Sequence, residues 1–125
     1  MEGSIRFEID HDCGLFLVHC RGMWSPDQAS AHFDRMATAV RAMRMMGRPV
    51  HVLVDLRESS VQSQATSTVM AQGEARIHRH ADRVAFVCRS ALHVLQVKRD
   101  VIVPTIAFFE GMDEARAWID RQDAA

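Results

Sequence analysis

The residues best placed to do chemistry follow the predicted strands. In an open parallel sheet, ligands bind in a groove at the carboxyl ends of the strands. Helix N-termini beside such a groove also offer free backbone N–H groups to an anion. The side chains that form the predicted ligand groove are Trp24, Asp55, Arg57, Arg89, Ser90 and Glu110. This set suits a small anionic or phosphorylated ligand, with Arg57 and Arg89 supplying the positive charge.

The same residues have a purely structural interpretation. Ser25, Ser60 and Ser90 each precede a predicted helix. A serine hydroxyl in that position often caps the first free backbone N–H groups of the helix. The arginines can equally be solvated surface residues. The pattern therefore indicates a groove without deciding whether the groove binds a ligand.

Cys88 is the cysteine best placed for reactivity, because a helix start directly after it would stabilise a thiolate. His93 lies about one turn further along the chain and is the nearest base. A buried, inert thiol is the commoner role of such a cysteine. His51 and Asp55 point to one face of a strand, but no nucleophile lies between them. We therefore predict no catalytic residues.

Seven histidines raise the question of a metal site. His78 and His80 are two residues apart, a spacing that separates two side chains on a helix. The remaining histidines show no metal-ligand spacing; they are His11, His19, His32, His51 and His93. His78 and His80 are better placed at a helix C-terminus, where positive charge is favoured. We predict no metal ion and no cofactor.

The predicted groove is positioned by strands and helices that alternate along the chain. Residues 5–10 and 15–21 have the pattern of two strands joined by a short turn, which indicates an antiparallel hairpin. Ser25 begins a helix that ends before Gly47. One apolar stripe runs along this helix, and it comprises Ala29, Phe33, Met36, Ala37, Val40 and Met43.

Residues 50–56 form the clearest buried strand of the sequence. The polar helix after it has a narrow apolar seam, which comprises Ala65, Val69, Gly73 and Ile77. Further strands are predicted at residues 84–88 and 105–109, and further helices at 90–101 and 112–121. In the last helix the inward-facing residues are Ala115, Trp118 and Ile119.

The resulting order is β-β-α-β-α-β-α-β-α, which is typical of an α/β fold. Strands that alternate with helices favour parallel pairing and right-handed crossovers. We therefore predict a mixed five-stranded sheet with a parallel core. The size of the chain predicts a single domain over residues 1–125.

The composition indicates a globular protein and excludes several classes of function. Hydrophobic residues make up 48% of 125 residues, enough for a packed core. The net charge of -1 predicts no excess of basic residues for binding nucleic acid or an anionic membrane. No signal peptide and no apolar stretch that could span a bilayer is present in the sequence. Three scattered cysteines favour a reduced, cytoplasmic protein over a disulfide framework.

Three stretches of the chain resemble the STAS-like domains, the family of the bacterial anti-sigma-factor antagonists. They are Val-Leu-Val-Asp-Leu-Arg at residues 52–57, Arg-Val-Ala-Phe-Val at 83–87, and residues 108–119, from Phe-Phe through Glu-Ala-Arg-Ala-Trp-Ile. The likeness is greatest to the SpoIIAA-like offshoot of small bacterial proteins, a fold relative of the CRAL-TRIO lipid-binding domains. The resemblance implies a SpoIIAA-like β-α superhelix around a mixed sheet, and it does not imply an enzyme.

The resemblance also implies a site of modification. In the antagonists, a partner kinase phosphorylates a serine in the loop after the central strand, and Ser59 or Ser60 occupies the equivalent place here. This chain has Glu58 before the serines and Val61 and Gln62 after them, where the antagonists continue with Gly-Leu. Because the loop is short, polar and follows a buried strand, we predict that it is exposed.

These observations favour a non-catalytic binding or regulatory module with a protein partner. One alternative is a carrier or sensor of a small apolar or anionic ligand in the groove at the strand ends, and a third is an enzyme that uses the same groove. A deep apolar cavity would favour the carrier, whereas a shallow polar loop would favour the module. We also predict a homodimer, because a β-α superhelix leaves one face of an apolar sheet to be covered by something else.

Overall fold

The predicted alternation of strands and helices is confirmed. A computed structural model describes residues 3–79, 82–100 and 106–121. Its elements are β1 (Ser4–Asp10), β2 (Leu15–Gly22), α1 (Pro26–Met45), β3 (His51–Ser59), α2 (Gln64–Ile77), β4 (Arg83–Val87), α3 (Ala91–Asp100), β5 (Ile106–Phe109) and α4 (Met112–Asp120). Val101 and Thr105, the predicted ends of the third helix and the last strand, lie outside the described residues.

The sheet keeps its strands in chain order, β1-β2-β3-β4-β5, with β3 in the middle. β1 and β2 are antiparallel, and the turn between them contains Gly14 with a positive φ of 67°. β2, β3, β4 and β5 pair in parallel. The predicted mixed sheet with a parallel core is therefore confirmed. Because each parallel strand is added on the same side, right-handed crossovers place α1, α2 and α3 on one face of the sheet.

Strand β3 is buried on both of its faces. Val52, Val54 and Leu56 belong to the larger core, which includes residues of α1 and α2. Leu53 points the other way, into a smaller core that includes Ala115 of α4. Burial of one such side chain contributes about 1.5–3 kcal/mol. The strand therefore holds together the two layers that cover the sheet.

Helix α1 begins and packs as its sequence predicts. The Ser25 hydroxyl accepts the backbone N–H of Gln28 at 3.1 Å, and the Gln28 side chain accepts the N–H of Ser25 at 2.8 Å. This capping box satisfies two backbone donors that the helix itself leaves free. The predicted apolar stripe faces the core, with Ala37 only half-buried. No helix in the described ranges is both long and apolar enough to cross a membrane.

The buried face of helix α2 is shifted by about one residue from the predicted apolar seam. Gly73 and Ile77 are buried as predicted, but Ala65 is exposed and Val69 is half-buried. The other buried positions of α2 are Thr66, Ser67, Met70 and Glu74. A Cβ atom at Gly73 would lie 2.3 Å from the Phe33 ring of α1, so glycine allows the two helices to approach closely. This contact, which a single sequence does not indicate, fixes the orientation of α2.

Helix α4 covers part of the second face of the sheet. Helix α4 packs Ala115 and Ile119 against Leu53, while Trp118 lies against Phe109 with ring centroids 5.7 Å apart. On β1 and β2 the same face carries Leu15 and Leu17, and beyond them charged and polar side chains, which are Arg6, Glu8, His19 and Arg21. Helix α4 therefore covers much of the apolar surface that motivated the predicted homodimer, and the homodimer stays a prediction.

Candidate functional site

The end of β3 differs from the prediction, because the strand continues to Ser59 rather than stopping at Leu56. In its pairing with β2, His19 lies opposite Asp55 and Arg21 lies opposite Glu58, so β3 contains one extra residue. Such a bulge shifts the alternation of side chains by one position. As a result Ser59 points to the same face as Leu56, toward the larger core.

The two serines after Glu58 therefore have different environments. Ser59 is only 6% exposed, and its hydroxyl donates to the Leu56 carbonyl at 2.7 Å. Ser60 is exposed, and its backbone N–H donates to the Gly22 carbonyl at 2.9 Å. The predicted exposure of this loop is wrong for Ser59. Of the two serines, Ser60 is the one that another protein can reach.

The Gln62 side chain anchors the loop that carries Ser60. Its carbonyl oxygen accepts the backbone N–H of Trp24 at 3.0 Å. Its amide nitrogen donates to the carbonyls of Gly22 at 2.9 Å and Ser60 at 2.7 Å. Helix α2 is then capped by Ser63, not by Ser60 as the structural interpretation of the sequence suggested. One amide side chain thus ties the ends of β2 and β3 together, and sequence patterning gives no signal for it.

Trp24 and the serines line a small cavity at the carboxyl end of the sheet. Its volume is about 60 Å³, and its lining includes Trp24, Ser59, Ser60, Val61, Met70 and His93. The Trp24 side chain is buried, and its Nε1 donates no hydrogen bond within the described part of the chain. The space is enough for a few water molecules, which need about 30 Å³ each in the liquid, but not for a drug-sized ligand.

Arg89 and Ser90 stand beside this cavity in one hydrogen-bonded network. Arg89 Nη1 donates to the Ser59 carbonyl at 2.7 Å. The backbone N–H of Arg89 donates to His93 Nδ1 at 3.1 Å, and the Ser90 hydroxyl accepts the N–H of His93 at 3.1 Å. Burial and the neighbouring Arg89 lower the pKa of His93. The predicted interpretation of Ser90 as the cap of a helix is therefore confirmed.

Asp55, Arg57 and Glu110 are not part of that network. The Arg57 guanidinium binds both carboxylate oxygens of Asp55, at 2.9 and 3.0 Å. Asp55 lies on the face of Leu53, away from the cavity. Burial opposes its charge, but the Arg57 hydrogen bonds keep the pKa of Asp55 below its ordinary value.

Glu110 is exposed and borders an open groove between α3 and β5. The structure therefore separates the predicted groove into three places. The prediction that Arg57 and Arg89 hold one anion together is wrong, because Arg57 is paired with Asp55 on the other face of the sheet.

Cys88 and the described histidines are placed where neither a nucleophile nor a metal site is indicated. Cys88 is fully buried, and burial raises the pKa of its thiol to about 11. This environment disfavours the thiolate that a nucleophile requires. Within residues 3–79, 82–100 and 106–121, no three His, Cys, Asp or Glu side chains are arranged to hold a metal ion. His78 ends α2 as predicted, and His80 lies outside the described residues.

A buried ionic cluster at the C-terminal end of α2 was missed by the sequence analysis. His78 Nε2 lies 2.7 Å from Glu74 Oε2, and both side chains are almost fully buried. Asp82 lies 3.8 Å from the other ring nitrogen of His78 and 2.6 Å from Arg44 Nη2 of α1. Arg44 Nη2 also donates to the Ile77 carbonyl at 3.0 Å. The spacing Glu74-x3-His78-x3-Asp82 was the only signal in the sequence, and it has the four-residue step of a helical pair.

The cluster keeps His78 charged. Burial opposes the charge, but the Asp82 and Glu74 carboxylates outweigh burial and raise the pKa of His78 to about 9. Burial likewise opposes ionisation of Asp82, and His78, the Arg79 amide and Arg44 nevertheless keep the pKa of Asp82 below its ordinary value. The four groups stabilise one another by mutual pairing across the ends of α1 and α2. We interpret the cluster as structural.

Comparison with known proteins identifies the fold. An uncharacterized protein of the DUF3478 family from Shewanella loihica PV-4, with a SpoIIAA-like fold, is 16% identical with a TM-score of 0.64, over 94% of this chain and 94% of that chain. An anti-sigma factor antagonist from Mycobacterium paratuberculosis is 16% identical with a TM-score of 0.56, over 94% of this chain and 93% of that chain. The sequence matches no family model and no curated protein. The SpoIIAA-like fold implied by the sequence resemblance is therefore confirmed.

The raised pKa of His78 predicts how the stability of the protein depends on pH. A histidine whose pKa is higher in the folded state contributes stability that is fully present below its unfolded pKa, about 6.5. That contribution is lost as the pH rises through the folded value of about 9. The difference between the two pKa values corresponds to a decrease in the free energy of unfolding on the order of 3 kcal/mol. Urea unfolding at a series of pH values measures it.

The matched variant is the double substitution Glu74→Gln and His78→Gln, which removes both charges of the pair. We expect its free energy of unfolding to fall much less than that of the wild type between neutral pH and about pH 10. The same decline in both proteins would contradict a charged His78 in the folded state.

Proposed function

We propose that this chain is a non-catalytic regulatory module that binds a partner protein at the carboxyl end of its sheet. The observation that carries the proposal is a group of exposed apolar side chains at that end. Met23 follows β2, Val61 follows β3, and Leu92 lies in the first turn of α3. They are 52%, 62% and 65% exposed. All three follow the carboxyl ends of neighbouring strands, β2, β3 and β4. Several large exposed apolar side chains at one end of a sheet favour a protein interaction site.

The loop between β3 and α2 supports this interpretation, because it is held in a defined conformation. Gln62 hydrogen bonds to Gly22, Trp24 and Ser60 fix the backbone on either side of Val61. A partner therefore meets a surface that is ordered in advance and loses little conformational entropy on binding. The likeness in fold to an anti-sigma factor antagonist gives separate support for a regulatory role. The three unpaired cysteines support a location in the reducing cytoplasm.

We further propose that Ser60 is the phosphoacceptor. Its hydroxyl is exposed, whereas the Ser59 hydroxyl is buried and bonded to Leu56. The Arg89 guanidinium already donates a hydrogen bond to the carbonyl of Ser59, the residue before Ser60. It is therefore close enough to pair with a phosphate on Ser60. The N-terminus of α2 begins a few residues further on and also favours negative charge. Glu58 is paired with Arg21 at 3.0 Å, which reduces its repulsion of a phosphate.

The carrier of a small ligand is the second candidate function. The observation that favours it is the cavity beside Trp24, whose buried Nε1 donates no hydrogen bond within the described part of the chain. The cavity volume of about 60 Å³ is well below the 300–1,000 Å³ of common ligand sites. A carrier would require a deep apolar cavity here. The size of the cavity therefore supports the protein-binding module instead.

A charge placed in the exposed apolar group should abolish partner binding. We expect Val61→Arg to remain folded, since the side chain is exposed, but to lose its partner because a guanidinium is desolvated in the interface. Met46→Arg is the matched control, since Met46 directly follows α1 at the other end of the sheet and is 61% exposed. Tagged proteins recovered from the native cells, followed by quantitative mass spectrometry, measure the partner. Recovery of the same partner by both variants would contradict the proposed surface.

Phosphorylation should be found on Ser60 alone. Protein isolated from its native cells under several growth conditions should contain a species heavier by one phosphate, and peptide mapping should assign the phosphate to Ser60. In a Ser60→Ala variant the heavier species should disappear. Protein that carries no phosphate under any condition, or a phosphate on Ser59, would contradict this part of the proposal without affecting the protein-binding surface.

A further inference from the structure

A cleft of about 600 Å³ lies between the C-terminal parts of α1 and α2. This volume falls within the range of natural small-molecule sites. Apolar side chains form part of the lining, and they are Ala37, Val40, Met45 and Ile77. The other lining residues are polar or charged: Asp34, Thr38, Arg41, Arg44, Arg76 and Arg79. The cleft therefore combines an apolar surface with a strong excess of positive charge.

Four arginines face one acidic residue in this lining, although the chain as a whole has a net charge of -1. Helix dipoles explain part of this arrangement, since Arg44 and Arg76 lie in the last turns of α1 and α2. They do not explain Arg41, which precedes the last turn, or Arg79, which lies beyond the end of α2. Guanidinium groups around one cleft repel each other unless an anion lies between them.

The four arginines also differ in how far they are already neutralised. Arg76 lies 3.4 Å from Asp34, in an ion pair that is exposed to water and therefore weak. Arg44 Nη2 is bonded to Asp82 and to the Ile77 carbonyl, but its Nη1 is buried and donates no hydrogen bond within the described residues. Arg41 and Arg79 are exposed, and no ion pair joins either side chain to another described residue. Positive charge therefore remains available to a ligand.

We propose that the cleft binds a small organic anion that carries at least two negative charges and an apolar part. The arginines bind the charged groups through paired N–H donors, whose geometry matches phosphate and carboxylate oxygens. The apolar part packs against Ala37, Val40 and Ile77. This site gives the protein a second input, in the form of a charged metabolite.

The cleft is separate from the proposed partner surface. Helix α1 begins after β2 and ends before β3, so its C-terminus lies at the amino ends of the parallel strands. Helix α2 runs in the same way from β3 to β4. The cleft therefore lies at one end of the sheet, and Ser60 and Val61 lie at the other. Neither proposal depends on the other.

Titration calorimetry with pyrophosphate, ATP and adenosine tests the proposal on the full chain. Pyrophosphate supplies the charges alone, ATP adds an aromatic part, and adenosine lacks the charges. We expect ATP to bind below about 1 mM and more tightly than pyrophosphate, with binding weakened as salt rises from about 50 to 200 mM and no comparable binding of adenosine. Failure of ATP to bind at about 1 mM, tighter binding of pyrophosphate than of ATP, or equal binding of adenosine and ATP would overturn the proposal.

The variants locate the binding. The double substitution Arg41→Gln and Arg79→Gln should weaken anion binding at least about tenfold, the cost of losing charge-assisted hydrogen bonds. The double substitution Arg6→Gln and Arg35→Gln, on exposed positions of β1 and α1 outside the cleft, removes the same number of charges and should leave the affinity unchanged. Equal weakening by this control, or unchanged affinity in the Arg41 and Arg79 variant, would overturn the assignment to the cleft. Thermal melting confirms folding, and if the Arg41 and Arg79 variant is unfolded, the single Arg79→Gln is tested against the same two outcomes.

Discussion

Strand β3 has apolar side chains on both faces, and the rest of the structure follows from the need to cover both. Val54 points into the core beneath α1 and α2, while Leu53 points into the core beneath α4. The strand can be covered in this way only in the middle of the sheet, with parallel neighbours on each side. Its carboxyl end then meets the ends of β2 and β4, where Ser60 and Val61 reach the surface. The position of the proposed binding surface is thus set by the burial of one strand.

The features that depend on local pattern could be predicted from the sequence. The stripe of α1 from Ala29 to Met43 repeats at three- and four-residue steps, and the structure buries it against the sheet. The capping residue Ser25 begins that helix as its type and position indicate. The parallel pairing of β2 to β5 followed from the alternation of strands with helices. The fold could therefore be predicted from hydrophobic periodicity and chain order.

The features of the site that could not be predicted depend on contacts between distant residues. The extra residue in β3 is defined only by pairing with β2, and it decides that Ser59 is buried. Gln62 lies in a polar stretch whose composition gives no reason to single it out. Arg44 and Asp82 are 38 residues apart, and their ion pair exists only because α1 and α2 end side by side. Predicting such features requires the register of strands and helices, which periodicity does not determine.

The reaction of engineered cysteines with a thiol reagent tests most directly whether the bulge in β3 separates the two serines. Ser59→Cys and Ser60→Cys would each be made with the exposed Cys13 replaced by serine, since Cys20 and Cys88 are buried. The structure predicts that the cysteine at position 60 reacts at nearly the rate of the unfolded protein. The cysteine at position 59 should react at least about a hundredfold more slowly, because it requires local unfolding. Equal rates at the two positions, or faster reaction at position 59, would contradict the register on which the proposed surface depends.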